Sequence, residues 1–91
     1  MGLLESTDNG KVIRETRAPM VFAARQYRFF GAYADKLWGS QIPLDRRDML
    51  DYATREPLGV AALITAWNSS MGLLANKLAP ALAAGNRVAT P

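Results

Sequence analysis

Leu58-Gly59-Val60-Ala61-Ala62-Leu63-Ile64-Thr65 decides the fold class of this 91-residue chain. The run is continuously apolar and follows Glu56-Pro57, which suits a strand buried on both faces, as in a parallel sheet. Ser69 or Ser70 is placed to cap a helix carried by Met71 through Ala84, and Gly85-Asn86 supplies its stop. Inside that helix Pro80 has no N–H to give the carbonyl of Asn76, which predicts a kink or a break. Arg87-Val88-Ala89-Thr90 then starts a second strand. Strand, helix, strand is a βαβ unit with a right-handed crossover, so the class read from the sequence is α/β. One helix on a parallel pair leaves a sheet face bare, so the sheet is expected to continue beyond this pair.

Upstream, Met20, Ala23, Ala24, Tyr27, Phe30, Ala34 and Leu37 recur at three- and four-residue spacing, the period of a helix with one apolar face. Pro19 fits its first turn and Gly39 lies just past Trp38, so the expected helix runs from Pro19 to about Trp38. Residues 3–17 are polar and charged; a short helix there is expected to end at Asp8-Asn9-Gly10. Ser40 to Arg55 reads as two short stretches around a charged turn, a hairpin. Pro43 confines its first strand to an edge or a bulge, and the alternation of Met49, Asp51, Ala53 and Arg55 with Leu50, Tyr52 and Thr54 suits a half-buried second strand.

Composition narrows the chemistry. The chain has no Cys and no His, which removes disulfides, the usual zinc sites, a cysteine nucleophile and any triad built on histidine. Eleven basic and eight acidic residues leave a net charge of +3, a mild excess without the basic stripe of a nucleic-acid surface. Arg46-Arg47 is the one adjacent basic pair and Asp45 and Asp48 flank it. No apolar run approaches a membrane span, and the first residues lack the pattern of a secretory signal. The expectation is a soluble, cytoplasmic chain that binds neither nucleic acid nor membrane.

Three patches, in order, resemble the NAD(P)-dependent aldehyde dehydrogenase superfamily. They are Leu4-Glu5-Ser6-Thr7-Asp8-Asn9-Gly10-Lys11, then Phe29 through Gly39, then Arg55-Glu56-Pro57-Leu58-Gly59-Val60 through Trp67-Asn68 with Lys77-Leu78-Ala79-Pro80-Ala81-Leu82-Ala83-Ala84-Gly85-Asn86. The resemblance implies the N-terminal part of an enzyme that oxidises an aldehyde to its acid with NAD or NADP. In such enzymes a cysteine thiolate attacks the aldehyde, hydride leaves to the nicotinamide, and a glutamate activates the water that releases the acid. It also implies a partial fold of that family. Residues 1–39 would be the helical segment of the N-terminal domain, 40–56 the hairpin that joins subunits into a homo-oligomer, and 57–91 the start of a Rossmann-like dinucleotide-binding domain.

The same resemblance assigns roles. Asn68 stands where the family has the asparagine that helps hold the developing oxyanion, a role for which a fixed amide N–H is suited because the charge appears only in the transition state. Read without the family, it is an ordinary turn or cap residue. Ile64, Thr65, Ala66 and Trp67 match the stretch lining the cofactor cleft, beyond the carboxyl end of a strand where open α/β sheets bind ligands. Read alone, they are a strand end with Trp67 as a core aromatic. Lys77 is expected to be a solvated or helix-packing lysine, and Glu56 a structural partner rather than the general base.

The chain departs from the family at Ala66, usually Pro, and at Ser70, often Pro. An ungapped match also puts Pro91 where the cofactor lysine belongs, and a one-residue deletion would instead make Pro91 the proline after it. The nucleophilic Cys, the general-base Glu and the glycine-rich turn belong to later family segments. Two functions follow: part of an aldehyde dehydrogenase, catalytically incomplete in these residues, or a non-catalytic remnant acting as a structural or subunit-interaction module.

Overall fold

An Asn-Gly pair and a proline that fails to start its helix set the N-terminal half of the computed structural model, which describes residues 1–90. Pro91, and with it the missing-lysine position, lies outside the described residues. Helix α1 (Gly2–Asn9) ends where Gly10 takes φ 77° and returns its N–H to the Ser6 carbonyl at 3.0 Å, a left-handed stop that glycine adopts at little cost.

Helix α2 spans Ile13–Tyr33, so the expected start at Pro19 is six residues late. The polar stretch conceals its first two turns because the face it buries there is Thr16, fully buried, rather than an apolar stripe. The Thr16 hydroxyl meets the Ile13 carbonyl (3.1 Å) and the Ser6 hydroxyl (2.8 Å), which ties α2 to α1. Pro19 is therefore interior, and without an N–H it leaves the Glu15 carbonyl free of its helical partner. The helix also stops early, at Tyr33, and a 3-10 turn covers Ala34–Lys36. There the Lys36 ammonium caps the Ala32 carbonyl at 2.5 Å.

The hairpin is present. Strand β1 (Ser40–Ile42) pairs antiparallel with β2 (Asp51–Ala53), with Gln41 opposite Tyr52. Its second strand is not half-buried as the alternation suggests. Every residue from 31 to 60 is exposed, so the arm projects without a face to pack on.

Strand β3 is Val60–Ala62, shorter than the apolar run, and its residues are exposed or half-buried rather than buried on both faces. Helix α3 (Ser70–Ala83) follows a 3-10 turn at Trp67–Ser69 and continues through Pro80, so of the kink or break expected there it shows no break. Strand β4 (Arg87–Ala89) runs parallel to β3 with Ala61 opposite Val88. The stop of α3 is tightly built. Gly85 N–H donates to Leu82 (2.9 Å) and Asn86 N–H to Ala81 (3.1 Å), the paired bonds of a Schellman end. The Asn86 side chain then accepts the Gly59 N–H at 3.1 Å and donates to the Ala81 carbonyl at 3.2 Å, so one amide joins the helix end to the entrance of β3.

The core lies between α2 and α3 and is made of small residues: Ala23, Ala75 and Ala79 are buried, and Leu63 is the one large apolar side chain buried with them among the described residues. Close helix approach follows, since a Cβ at Gly72 would sit 3.2 Å from that of Pro19. Little area is gained by burying alanines. The molecule is correspondingly extended, 64 × 23 × 17 Å with a radius of gyration of 18.6 Å, against about 12 Å for a compact chain of this length. Its accessible surface is 7277 Å², where a compact monomer of this mass exposes about 5200 Å².

Candidate functional site

Two chain segments far apart in sequence, the end of α1 and the turn before α3, meet at the residues singled out for chemistry. Beyond β3 the backbone stays extended to Ala66 (φ −75°, ψ 142°) and then closes the 3-10 turn Trp67-Asn68-Ser69. Ile64 and Trp67 are 73% and 74% exposed, so Trp67 is not a core aromatic. Thr65 is half-buried and Ala66 exposed. Asn68 is exposed, and its side-chain amide has no hydrogen-bond partner among the described residues. Its two N–H donors are thus available to a group outside the segment.

The turn itself is loosely tied by its backbone. Its Ser69 N–H reaches the Ala66 carbonyl at 3.5 Å, the outer limit of a hydrogen bond. Ser69 occupies the N-cap position of α3, yet its hydroxyl does not cap the helix. It receives instead the Lys11 ammonium at 2.5 Å. The loop that delivers Lys11 is itself fixed, since Asn9 Oδ1 accepts the Lys11 N–H at 3.0 Å and Gly10 turns the chain.

Lys77 is exposed, as a solvated lysine would be, and it also makes a bond. Its ammonium donates to the carbonyl of Ile64, holding the carboxyl end of β3 from α3. Glu56 remains apart, on a cleft with Ala34, Leu37, Arg55 and Gly85 at the root of the hairpin.

A second carboxylate was not singled out from the sequence. Glu5 is 6% exposed, and neither of its oxygens has a partner among the described residues. It lines a cleft of about 670 Å³ with Leu4, Asp8, Ser70 and Met71, so it faces the first turn of α3. Asn9 Nδ2 is likewise buried without a partner. A buried unpaired polar group costs about 1–3 kcal/mol, and Glu5 with Asn9, one helical turn apart on α1, concentrates that cost at one place. The sequence signal for this cluster is the polar motif Glu5 to Lys11, whose i, i+4 spacing puts Glu5 and Asn9 on one face. Nothing in it foretells contact with a turn 58 residues away. No group of three or more acidic, His or Cys residues able to hold a metal occurs among the described residues.

Comparison with known proteins gives this geometry its context. The aldehyde dehydrogenase family model matches residues 1–90. The chain belongs to the aldehyde dehydrogenase family. A relative within it, the (Z)-2-((N-methylformamido)methylene)-5-hydroxybutyrolactone dehydrogenase of Acinetobacter baylyi, is 49% identical over 85 residues, covering 93% of this chain and 17% of its own length. A putative aldehyde dehydrogenase of Burkholderia cenocepacia superposes with a TM-score of 0.89 at 44% identity, covering 98% of this chain and 18% of the other. PnpE, solved in complex with nicotinamide adenine dinucleotide, gives 0.89 at 41% identity with the same coverage. This aldehyde dehydrogenase chain therefore spans less than a fifth of the length of the relatives it matches. The α/β class with helices and small sheets is the one those structures share.

Proposed function

We propose that these residues are the N-terminal segment of an NAD(P)-dependent aldehyde dehydrogenase that oxidises an aldehyde to its carboxylic acid. The observation that carries this reading is the state of Asn68: an exposed, unengaged amide on a turn held by Lys11 through Ser69, within a family match that covers residues 1–90. In this reading the β3, α3 and β4 elements open a Rossmann-like sheet and form the start of its dinucleotide-binding domain, residues 57–91. Residues 1–39 belong to the N-terminal domain, and the exposed arm at 40–56 pairs with a second subunit in a homo-oligomer. The enzyme works in the cytoplasm.

Ile64, Thr65, Ala66 and Trp67 fit one edge of a dinucleotide. They lie just past the carboxyl end of a parallel strand, with Ile64 and Trp67 exposed as apolar surface for a flat ring to rest on. The nicotinamide, when bound, supplies the hydride acceptor. Asn68 contributes N–H donors to the oxygen that gains charge as the aldehyde carbon becomes tetrahedral, a stabilisation absent from the ground state. Lys77, by holding the Ile64 carbonyl, keeps the cleft edge in register with α3. The chain supplies no thiol and so no nucleophile. It is catalytically incomplete by itself.

The test joins residues 1–90 to the remaining sequence of the Acinetobacter dehydrogenase, in place of that enzyme's matching segment. Reduced cofactor formation is then followed with the enzyme's own substrate. Asn68→Ala in this chimera is expected to lower kcat by about 10²–10³-fold, the usual effect of removing one oxyanion donor, with little change in the KM for cofactor. A variant that keeps kcat within about threefold refutes the role.

A further inference from the structure

We propose that Lys11 is a positioning residue for Asn68, acting through the Ser69 hydroxyl; the inference rests on the reading of Asn68 given above and adds the group that fixes it. The turn that carries Asn68 has little of its own to hold it. Its backbone bond from Ser69 to Ala66 is 3.5 Å long, Ser69 has an irregular backbone (φ −158°, ψ 43°), and the cap hydroxyl makes no bond to α3. The one short contact on the turn comes from outside, from Lys11 Nζ to Ser69 Oγ at 2.5 Å.

Both ends of that contact are anchored. On one side, the Lys11 backbone N–H is held by Asn9 Oδ1, Gly10 N–H is held by Ser6, and the Ser6 hydroxyl is bonded to Thr16, which is fully buried in α2. On the other, Ser69 leads directly into α3, which packs on α2 across Gly72 and Pro19. A lysine stem can span that corner while both Lys11 and Ser69 stay half-buried, and an ammonium-to-hydroxyl bond in such a place is stronger than a neutral one. An amide adjacent to a residue held this way keeps its direction without reorganising when charge appears on the substrate oxygen. That is the property an oxyanion donor needs.

The measurement uses the same chimera with Lys11→Met, which keeps the stem and removes the ammonium, Lys11→Arg, which keeps a donor, Ser69→Ala and the Lys11→Met/Ser69→Ala pair. Small misplacements of a reacting group are costly, so Lys11→Met is expected to lower kcat by about tenfold or more, with the KM for cofactor and the melting temperature unchanged. Ser69→Ala should match it, the pair should lose no more than either single change, and Lys11→Arg should recover most of the rate. Losses in the two single variants that multiply in the pair would overturn the inference, because groups acting through one bond are not additive. So would a Lys11→Met enzyme with unaltered kcat, or one whose lost rate follows a lost melting temperature. A silent Lys11→Met beside a strongly impaired Asn68→Ala sinks this inference alone, whereas a silent Asn68→Ala sinks the oxyanion role on which it stands.

Discussion

Replacing Gly85 by Ala should damage the end of α3 far more than the same change at Gly10 damages the end of α1, although the two glycines have nearly the same backbone. Gly10 has φ 77° and Gly85 φ 79°. Either change forces an L-residue into the left-handed region, at about 1–2 kcal/mol. The surroundings differ. A Cβ at Gly10 meets nothing within 4 Å, whereas one at Gly85 falls 2.9 Å from Cγ and 3.7 Å from Cβ of Pro57. A proline ring cannot swing aside as a flexible chain end can, so strain of about 1–3 kcal/mol is added at Gly85 alone. Converted to opening equilibria, that strain is a further factor of about 5 to 160. Hydrogen exchange of the chimera, read on fragments covering residues 6–11 and 81–87, reports it through the amides of Gly10, Gly85 and Asn86, which close these helix ends. Asparagine separates the two causes. It tolerates the left-handed region but carries a Cβ, so Gly10→Asn should be nearly silent while Gly85→Asn keeps the collision with Pro57. Equal acceleration at the two sites, for alanine and asparagine alike, would refute the close approach of Pro57.

Two other outcomes are expected. Calorimetric titration of residues 1–91 with NAD should show no saturable binding tighter than about 1 mM, because in the proposed function these residues supply only one edge of the cofactor cleft, and saturation at micromolar NAD would contradict that. In the hairpin loop the Asp48 carboxyl is held below its usual range by the bond from Arg46, whose guanidinium it meets at 2.6 and 3.1 Å. An aspartate depressed on folding contributes stability above its unfolded value, near about 3.9, and loses it as the pH falls through the lower folded value. Both side chains are 67% exposed and the pair is screened by solvent, so Arg46→Ala should move the carbon-13 titration of Asp48 upward while leaving thermal stability almost unaltered.

How far the sequence could be read depends on where each signal comes from. Local signals were legible: Gly10 and Gly85-Asn86 end helices in the sequence and in the structure, because a left-handed stop is a property of a few adjacent residues. The hairpin was legible for the same reason, from its charged turn between two short stretches. Pro19 misled because its preference for a first turn is only a preference, and the α1–α2 contact through Thr16 pulls the helix start back to Ile13. The apolar run 58–65 misled about burial for a different reason. Its composition suits a strand covered on both faces, yet Val60 is 72% exposed and Leu58 98%. At the candidate site, Asn68 and the 64–67 stretch were singled out through family resemblance rather than residue chemistry. The Lys11–Ser69 bond and the burial of Glu5 escaped because each depends on how distant elements pack, which no periodicity encodes.

The exposed run and the extended shape bear on one another. A sequence patterned for burial but left bare has a surface meant to be covered, and this chain leaves about 2000 Å² more accessible than a compact protein of its mass. That excess is on the scale of a large stable interface. It is also distributed in a definite way, since residues 31–60 are all exposed and include Tyr33, Trp38, Ile42, Leu44, Met49, Leu50, Tyr52 and Leu58. A two-stranded hairpin is marginal in water without a face to pack on, and the β1–β2 arm has none within this chain. The other end of the molecule is built oppositely. There the bonds from Lys11 to Ser69 and from Lys77 to Ile64 are internal and tie the turn and the end of β3 to neighbouring elements. The segment thus pairs a tied corner beside Asn68 with a bare arm, the division that the proposed function requires of an oxyanion donor and a subunit-pairing hairpin.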